Sequence, residues 1–413
     1  VNVNLNHYKY LDDMFELLRH ARKNLPLAKK ALLMRVYITL HHFAPIKAVD
    51  ECDIVLKKLK QYKMVDDRPF CLSIMELKAH ALMNAGLYPD GEILLKEIQA
   101  DWLCNKEILS DETLFDLYDR LAAVYRAFNL IDLSKTYNTL SITLADKLDD
   151  NRLRALAYRT KFKITLYPNM DLSSESLRKS IEATALMPSK RIETDNSLDV
   201  CALEILSNST VHQDKLILKL NSMLQDIEAN NLHRAQIHCF FLLAICNLLK
   251  GEEKATLLAK EYVDRAINLS TSYGIVGYLW RLYNLQAIIG IRMGFDSQHI
   301  YKIFFTVFDI LKKQGLLYIG NRDACEGNIL ALSNIGYYLQ ERKFESQFYQ
   351  TMSLVTFAGQ EYSAYPNQNL SDNPVNTFLV QQYAKARKRE ILFAQNTPPN
   401  LLWDTQTRYL LIL

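Results

Sequence analysis

The segment LKAHALMNAGLYPDGEILLKEI, residues 77–98, carries a small residue, a loop Gly seven positions later and then a second apolar helix. The segment YNLQAIIGIRMGFDSQHIYKIFFTVFDIL, residues 283–311, repeats this order around Ala287 and Gly294. Small residues let two helices approach closely, and a Gly suits the end of the first helix. The recurring pattern predicts helix pairs stacked into a solenoid, an architecture that binds other molecules.

The composition favours a helical array. The chain has 413 residues, of which 49% are hydrophobic and 23% charged, and its formal net charge of +3 is too small to indicate a nucleic-acid partner. Only 12 Gly and 10 Pro are present, which favours long helices with short loops. The length exceeds one ordinary core, but no break in composition divides it, which favours an array over two globular domains.

Helical periodicity runs through almost the whole sequence, as in Leu216, Leu220 and Leu224, which share one helix face. The chain is therefore predicted to be nearly all α. Helices are predicted at 26–43, 45–62, 69–87, 89–99, 111–128, 130–148, 150–167, 174–187, 196–208, 211–229, 231–250, 252–273, 275–293 and 297–314. Further helices are predicted at 7–24, 322–340, 342–358 and 376–395.

Two segments with weak helical signal suggest a division of the chain. Residues 186–197, LMPSKRIETDNS, predict a longer loop and a hinge, and residues 363–377 are rich in Asn, Pro and Ser. We expect N-terminal helical repeats over 1–187 and C-terminal repeats over 188–362. A loop, a capping helix and an apolar tail would follow over 363–413.

The cysteines predict a cytoplasmic protein. They are odd in number, seven in all, scattered, and without a C-x-x-C pair, which is typical of free thiols in a reducing compartment. The longest apolar stretch, CFFLLAIC at 239–246, is too short to cross a bilayer, and no signal peptide is visible. A start at Val1 without Met suggests processing or an origin in a longer chain.

The helix pairs resemble those of the tetratricopeptide-repeat superfamily. That family places a small residue in the first helix, a loop Gly seven positions later, and small or apolar residues in the second helix. The matching residues are Ala79, Leu82, Gly86, Tyr88, Gly91, Leu95 and Ile98, then Ala287, Gly294 and Ile303, and more loosely Ala122, Tyr125, Gly336, Leu339, Phe344, Ser346 and Met352. The resemblance implies a right-handed superhelix of antiparallel helix pairs.

The long repeats are also similar to the sensor regions of bacterial signalling ATPases and transcription regulators, including the maltose-regulator type, and to peptide-sensing regulators of Gram-positive bacteria. Those families imply a site for an inducer or partner inside the superhelix. This sequence itself has neither an ATPase motif nor a DNA-binding motif. The resemblance therefore favours a regulatory part of a larger signalling or transcription-control protein.

The repeat pattern also selects candidate ligand-binding residues. The first helices of the pairs line the concave wall, so positions six and three before the small residue, and one after it, are expected to face a ligand. Applied to Ala287 and Ala157, this rule selects Arg281 and Asn284, and Asn151, Arg154 and Tyr158. The full set is Asn151, Arg154, Tyr158, His238, Trp280, Arg281, Asn284, Asn328, Ser333, Asn334 and Tyr337, with Ile288, Asp119 and Arg126 as further inward-facing positions.

These residue types suit a peptide or a small inducer. Asn offers a donor and an acceptor to a peptide backbone, Arg clamps a carboxylate, and Tyr or Trp supplies a flat apolar wall. The same types also occur on ordinary exposed helix faces. Neither a ligand site nor an exposed helix face requires a cofactor.

Motifs for catalysis or metal binding do not stand out. The sequence lacks G-x-x-x-x-G-K-[ST], G-x-G-x-x-G, G-x-S-x-G and H-E-x-x-H. The adjacent His41 and His42 are too few for zinc, which needs three or four converging donors. The basic run AKARKRE, with Lys385 and Arg387, is typical of a solvated helix face, so no direct contact with nucleic acid is expected.

Two functions follow. The leading hypothesis is a non-enzymatic solenoid that senses a peptide, a small inducer or a protein segment in its concave groove. The alternative is a constitutive protein–protein scaffold, which the apolar tail from Tyr409 to Leu413 favours if that tail is exposed. A hydrolase with a buried site has no motif to support it, and the oligomeric state stays open.

Overall fold

The computed structural model describes residues 25–42, 44–61, 68–128, 130–166, 170–187, 189–207 and 213–314, and every regular element in these ranges is a helix. The α-helices are α1 (Leu25–His42), α2 (Pro45–Gln61), α3 (Arg68–Asn84), α4 (Tyr88–Cys104), α5 (Asp111–Ala127), α6 (Ile131–Leu148), α7 (Asn151–Thr165), α8 (Met170–Ala185), α9 (Lys190–Ser207), α10 (Gln213–Ala229), α11 (His233–Lys250), α12 (Glu253–Tyr273), α13 (Leu279–Arg292) and α14 (Ser297–Lys313). A 3₁₀ turn, Val276–Tyr278, precedes α13. The all-helical prediction is confirmed for this part of the chain, with bounds that mostly differ by a few residues.

The predicted loop over 186–197 is wrong in its extent, because α9 already begins at Lys190. Contacts to other helices hold its first turns in place. The Nη1 of Arg159 donates to Oδ2 of Asp195 at 2.7 Å, and Nδ2 of Asn196 donates to Oγ1 of Thr184 at 3.1 Å. Tertiary contacts of this kind override the weak helix propensity of the segment. The domain division at residues 187 and 188 stays a prediction, although one cluster of buried side chains includes both Tyr125 and Leu198.

The odd-numbered helices form an inner layer. Each helix packs against the next one in the chain, and further contacts join α1 to α3, α3 to α5, α5 to α7, α7 to α9, α9 to α11 and α11 to α13. Only the inside of a curved array brings alternate helices together. The even-numbered helices therefore form the outer layer, as in other stacks of two-helix units.

Small residues set the spacing inside a pair. A Cβ on Gly91 of α4 would lie 3.2 Å from the carbonyl oxygen of Ala79 on α3 and 3.0 Å from Cγ of Met83. A larger residue would push the two helices apart, since helix separation depends on the side chains at the contact. Ala79 is fully buried, as are Ala122, Ala157 and Ala287 at equivalent places in α5, α7 and α13. The sequence pattern at residues 77–98 therefore marks a close helix contact.

Helices far apart in the chain come into contact, so the curved array closes on itself. The Nη1 of Arg234 on α11 donates to Oδ1 of Asn84 on α3 at 2.9 Å. A Cβ on Gly86 would lie 2.9 Å from Nε2 of Gln314, and one on Gly277 would lie 3.4 Å from the hydroxyl of Tyr88. We call this region, formed by Asn84, Gly86, Arg234, Gly277 and Gln314, the closure seam. Because of it, the inner layer surrounds a lumen instead of lining an open groove.

Two further observations concern chemistry and location. No helix among the described residues is long and apolar enough to cross a membrane. The six cysteines in the described ranges are free; Cys104 is exposed and the other five are buried. Burial raises the pKa of Cys201 to about 11, so this thiol stays protonated and unreactive near neutral pH.

Replacing Gly86 by Ala tests the closure seam. Gly86 has a φ of +80°, and the Nε2 of Gln314 beside it donates to the carbonyl oxygen of Val276 at 2.8 Å. We expect Gly86→Ala to lower the free energy of unfolding by about 2 kcal/mol, because it adds left-handed strain and disturbs this partly buried hydrogen bond. Denaturant unfolding measures this change.

Gly251→Ala is the matched control for this variant. Gly251 also has a positive φ, +73°, but an added Cβ would meet no atom within 4 Å. We expect it to lose only the backbone contribution, about 1 kcal/mol. Equal losses for the two variants would contradict a packed seam.

Candidate ligand-binding site

A cavity of about 150 Å³ lies inside the ring, next to the closure seam. Its walls come from α3, the start of α4, α5, α7, α9, α11 and residues 275–281. We call it the lumen cavity and define it by its charged and imidazole side chains, Arg126, Lys163, Asp199, Arg234, His238 and Arg281. Tyr88, Phe162, Phe241 and Tyr278 form aromatic parts of the wall.

Inner helices bring the cations together from both sides of the seam. Arg126 lies in the last turn of α5, and Lys163 lies in the last turn of α7. The negative end of the helix dipole favours cations at these positions. Arg234 and Arg281 come from the first turns of α11 and α13, on the far side of the seam. Arg234 is exposed and marks the mouth of the cavity.

Two of the arginines have no carboxylate partner in the described part of the chain. Neither Arg126 nor Arg281 forms an ion pair there, and the Nε of Arg281 is buried without a hydrogen-bond partner. Burial lowers the pKa of both guanidinium groups below the usual range, and both remain charged because that range is so high. The Cζ of Arg281 lies 5.1 Å from the ring centroid of Trp280 and 5.8 Å from that of Tyr278. Cation–π contacts with these two rings are therefore the main interactions that stabilise the charge of Arg281.

Asp199, the carboxylate of the lumen cavity, is already held by Arg159. The Nε of Arg159 donates to Oδ2 of Asp199 at 2.6 Å, while its Nη1 reaches Asp195. Burial alone would raise the pKa of both carboxyls, but Arg159 outweighs it and leaves both pKa values below the usual range. Asp199 therefore stays ionised. Its charge also favours the charged forms of Lys163 and Arg126, but one carboxylate cannot balance all the cations of the cavity.

Lys163 and His238 are the titratable groups of the wall. Burial, and next the charge of Arg159, lower the pKa of Lys163 to about 7. Burial lowers the pKa of His238 to about 4, so its imidazole is neutral near pH 7. The imidazole lies 5.6 Å from the ring of Tyr278, measured between centroids. At neutral pH the cavity thus combines permanent cations with a lysine that is about half protonated.

A second group of charged side chains, which we call the acidic cluster, joins α3, α5 and α7 away from the lumen cavity; it contains Glu76, Asp116, Asp119 and Arg120. Arg120 on α5 forms ion pairs with Glu76 on α3, at 3.4 Å, and with Asp119, at 3.2 Å. Thr160 on α7 donates to Oδ1 of Asp119 at 2.7 Å. Burial, and next the charge of Asp116, raise the pKa of Glu76 above its usual range, while the charge of Arg120 opposes this shift. Within the described ranges no group of three His, Cys, Asp or Glu side chains is placed to hold a metal ion.

The structure brings some of the predicted residues together. Arg281, His238 and Arg126 line the lumen cavity. Trp280 lies behind Arg281 with 4% of its surface exposed, and Asn284 is fully buried one turn further along α13. Asp119 belongs to the acidic cluster, two helical turns before Arg126.

Other predicted residues lie elsewhere. Arg154 donates to Asp146 at 2.9 Å, to Asp149 at 2.8 Å and to Asn151 at 3.2 Å, which ties the start of α7 to the end of α6. The ammonium of Lys179 lies 5.5 Å from the ring centroid of Tyr158. A ligand role for Asn151, Arg154 and Tyr158 stays a prediction, separate from the lumen cavity. Asn328, Ser333, Asn334 and Tyr337 lie outside the described residues.

Sequence reasoning missed Lys163, Arg234 and Asp199. The rule searched mainly before each small residue, whereas Lys163 lies six positions after Ala157. A cation in the last turn of successive inner helices, as in Arg126 and Lys163, was the signal that would have found it.

Comparison of the sequence with protein-family models and with curated proteins finds no match. The geometry and charge of the lumen cavity therefore have to carry the functional inference.

The lysine of the cavity predicts a pH dependence of stability. Its folded pKa of about 7 lies below its ordinary value of 10.5, so the unfolded chain binds more protons between these two values. The free energy of unfolding should therefore rise as the pH increases from about 7 to about 10, and Lys163→Met should remove this rise and stabilise the protein below pH 7. Urea unfolding at several pH values measures both effects.

Lys57→Met, on an exposed position of α2, is the control for the Lys163 variant. It should keep the wild-type slope of stability against pH. If Lys163→Met and Lys57→Met gave parallel curves, Lys163 would not be buried as described.

Proposed function

We propose that the chain is a non-enzymatic ligand sensor, a right-handed superhelix of tetratricopeptide type that binds a small ligand or a peptide segment in its lumen. The sequence pattern supports the family, since the small residues predicted for close packing lie at helix contacts. The resemblance to sensor regions supports a regulatory role in a larger signalling or transcription-control protein. The free cysteines favour a cytoplasmic location.

One observation carries this proposal: Arg126 and Arg281 line a cavity, and neither forms an ion pair with a carboxylate in the described part of the chain. Buried charge without a partner is costly, and proteins normally pair it or bind something to it. A purely structural interior would gain stability from apolar side chains at these positions. A ligand of complementary charge would offset the cost of keeping these cations buried.

The position of the cavity at the closure seam supports a way of transmitting occupancy. Its walls include Asn84 and Tyr88 on one side of the seam and Arg234, Gly277 and Arg281 on the other. A ligand that contacts both sides would favour the closed ring over more open states of the array. Since each helix pair contacts mainly its neighbours, closure at one place changes the curvature of the whole array.

Blocking the cavity tests the proposal. Ala123 lines the lumen cavity on α5, so Ala123→Phe would fill part of it. A panel of peptides and small metabolites is tested for its effect on the melting temperature of the wild type. We expect at least one compound to raise it, and Ala123→Phe to abolish this rise, because a ligand stabilises only the state that binds it.

Ala100→Phe, on the exposed face of α4, is the matched control and should keep the response to the ligand. Circular dichroism establishes that both variants fold. If every stabilising compound acted equally on wild type and Ala123→Phe, the lumen cavity would not be the binding site.

A constitutive scaffold is the second candidate, and exposed apolar side chains on the outer layer favour it. Ile93 and Leu103 on α4 are 64% and 57% exposed, and Leu218 on α10 is 70% exposed. Exposed apolar surface of this kind occurs at protein–protein interfaces. Light scattering after size exclusion discriminates: a monomer whose melting temperature responds to one small compound argues against the scaffold.

A further inference from the structure

The charges of the lumen cavity do not balance. Arg126, Lys163, Arg234 and Arg281 line it, and the carboxylate among its lining residues is Asp199. Arg159 forms ion pairs with both Asp195 and Asp199, so these three side chains together carry one net negative charge. With Lys163 protonated, the four cations of the lining and the nearby Arg159 make five positive charges, against the two negative charges of Asp195 and Asp199. A single carboxylate ligand would leave most of that excess in place.

The cations converge from different directions. Arg126 and Lys163 come from the ends of two adjacent inner helices, while Arg281 comes from α13 across the closure seam. Guanidinium groups offer several N–H donors in a planar fork that matches the oxygens of a phosphate or carboxylate. The unpartnered Nε of Arg281 is one such donor. A tetrahedral group with several acceptor oxygens can use donors from three directions at once.

The size and the aromatic walls limit the rest of the ligand. A cavity of about 150 Å³ holds roughly a benzene-sized molecule, so a phosphoryl group fills much of it. The buried Phe162 and Phe241 and the rings of Tyr88 and Tyr278 offer apolar walls for a small organic part. The exposed Arg234, bonded to Asn84, leaves the mouth polar, so a longer ligand would extend past it.

We propose that the lumen cavity recognises the phosphoryl group of a small organic phosphate. The inference rests on the proposed function and names its ligand class. A phosphate monoester carries a charge of about −1.5 to −2 at neutral pH and three strong acceptor oxygens. This charge offsets the excess of cations better than a carboxylate does, and Arg126, Arg281 and Lys163 supply the donors.

Isothermal titration calorimetry of the full chain with phenyl phosphate, benzoate and phenol at fixed ionic strength tests the class of ligand. The three probes share an aromatic ring and differ in the charge of their polar group. We expect phenyl phosphate to bind at least about tenfold more tightly than benzoate, since it makes more charge-assisted hydrogen bonds, and phenol to bind weakest. Equal affinities for phenyl phosphate and benzoate would overturn the proposal, as would preferred binding of phenol. Inorganic phosphate as a fourth probe shows whether the ring contributes.

Two arginine variants locate the phosphoryl group. We expect Arg126→Gln and Arg281→Gln each to weaken phenyl phosphate binding by about tenfold or more, because each removes a charge-assisted contact. Arg265→Gln is the matched control: its guanidinium lies on the outer helix α12 and pairs with Glu261 at 2.5 Å. It should bind phenyl phosphate like the wild type. Equal losses in all three variants would place the phosphate on the surface and overturn the proposal. Arg126→Lys, which keeps the charge, serves if Arg126→Gln does not fold, and it should retain part of the affinity.

The two proposals fail in different ways. If phenyl phosphate does not bind but another compound stabilises the wild type and not Ala123→Phe, the lumen is a binding site and the phosphoryl inference is wrong. If phenyl phosphate binds equally to wild type and Ala123→Phe, both the site and the inference are wrong. If phenyl phosphate binding is lost in Ala123→Phe and in the arginine variants, both proposals are supported.

Discussion

The ion pairs of Arg159 hold the two carboxylates beside the lumen cavity and keep them ionised. Its guanidinium donates to Asp195 at 2.7 Å and to Asp199 at 2.6 Å, and so it joins α7 to two turns of α9. Removing one partner from such an arrangement is strongly destabilising, because the other charge stays buried and unpaired. The same pairing keeps Asp199 ionised beside the lysine and arginines of the lumen cavity, which outnumber it. We propose that an anion balances the cations that remain in excess beside this pair of inner helices.

Close packing of the helices places these charged side chains around the lumen. Small residues such as Gly91 and Ala79 let the helices of a pair approach closely, and the inner helices then contact each other around the lumen. Where α3 and α11 meet, Arg234 donates a hydrogen bond to Asn84, and a cavity remains beside that contact. The site is thus made by the curvature of the array, since its residues come from helices far apart in the chain.

Most of the fold could be predicted from the sequence, because helical periodicity is a local property of each segment. The start of α9 could not, because Asp195 and Asn196 are held by side chains on α7 and α8. The closure of the array is also invisible to local patterns. It depends on how a small rotation at each helix pair adds up along the chain.

The site was predicted only in part for the same reason. Counting six positions back from Ala287 leads to Arg281, which does line the cavity. The same count from Ala157 leads to Asn151, which accepts a hydrogen bond from Arg154 instead. The part of an inner helix that faces the cavity changes around the ring. It is the last turn in α5 and α7, the first turn in α13, and the first three turns in α11. A constant offset from the small residue therefore cannot identify the lining of such a lumen.

The most direct measurement of the central claim is anomalous diffraction from crystals of the full chain grown with tungstate, a tetrahedral dianion with a strong anomalous signal. The account predicts a tungstate peak in the lumen cavity within hydrogen-bond distance of the guanidinium groups of Arg126 and Arg281. Tungstate peaks confined to the outer helices, with none in the lumen cavity, would contradict it.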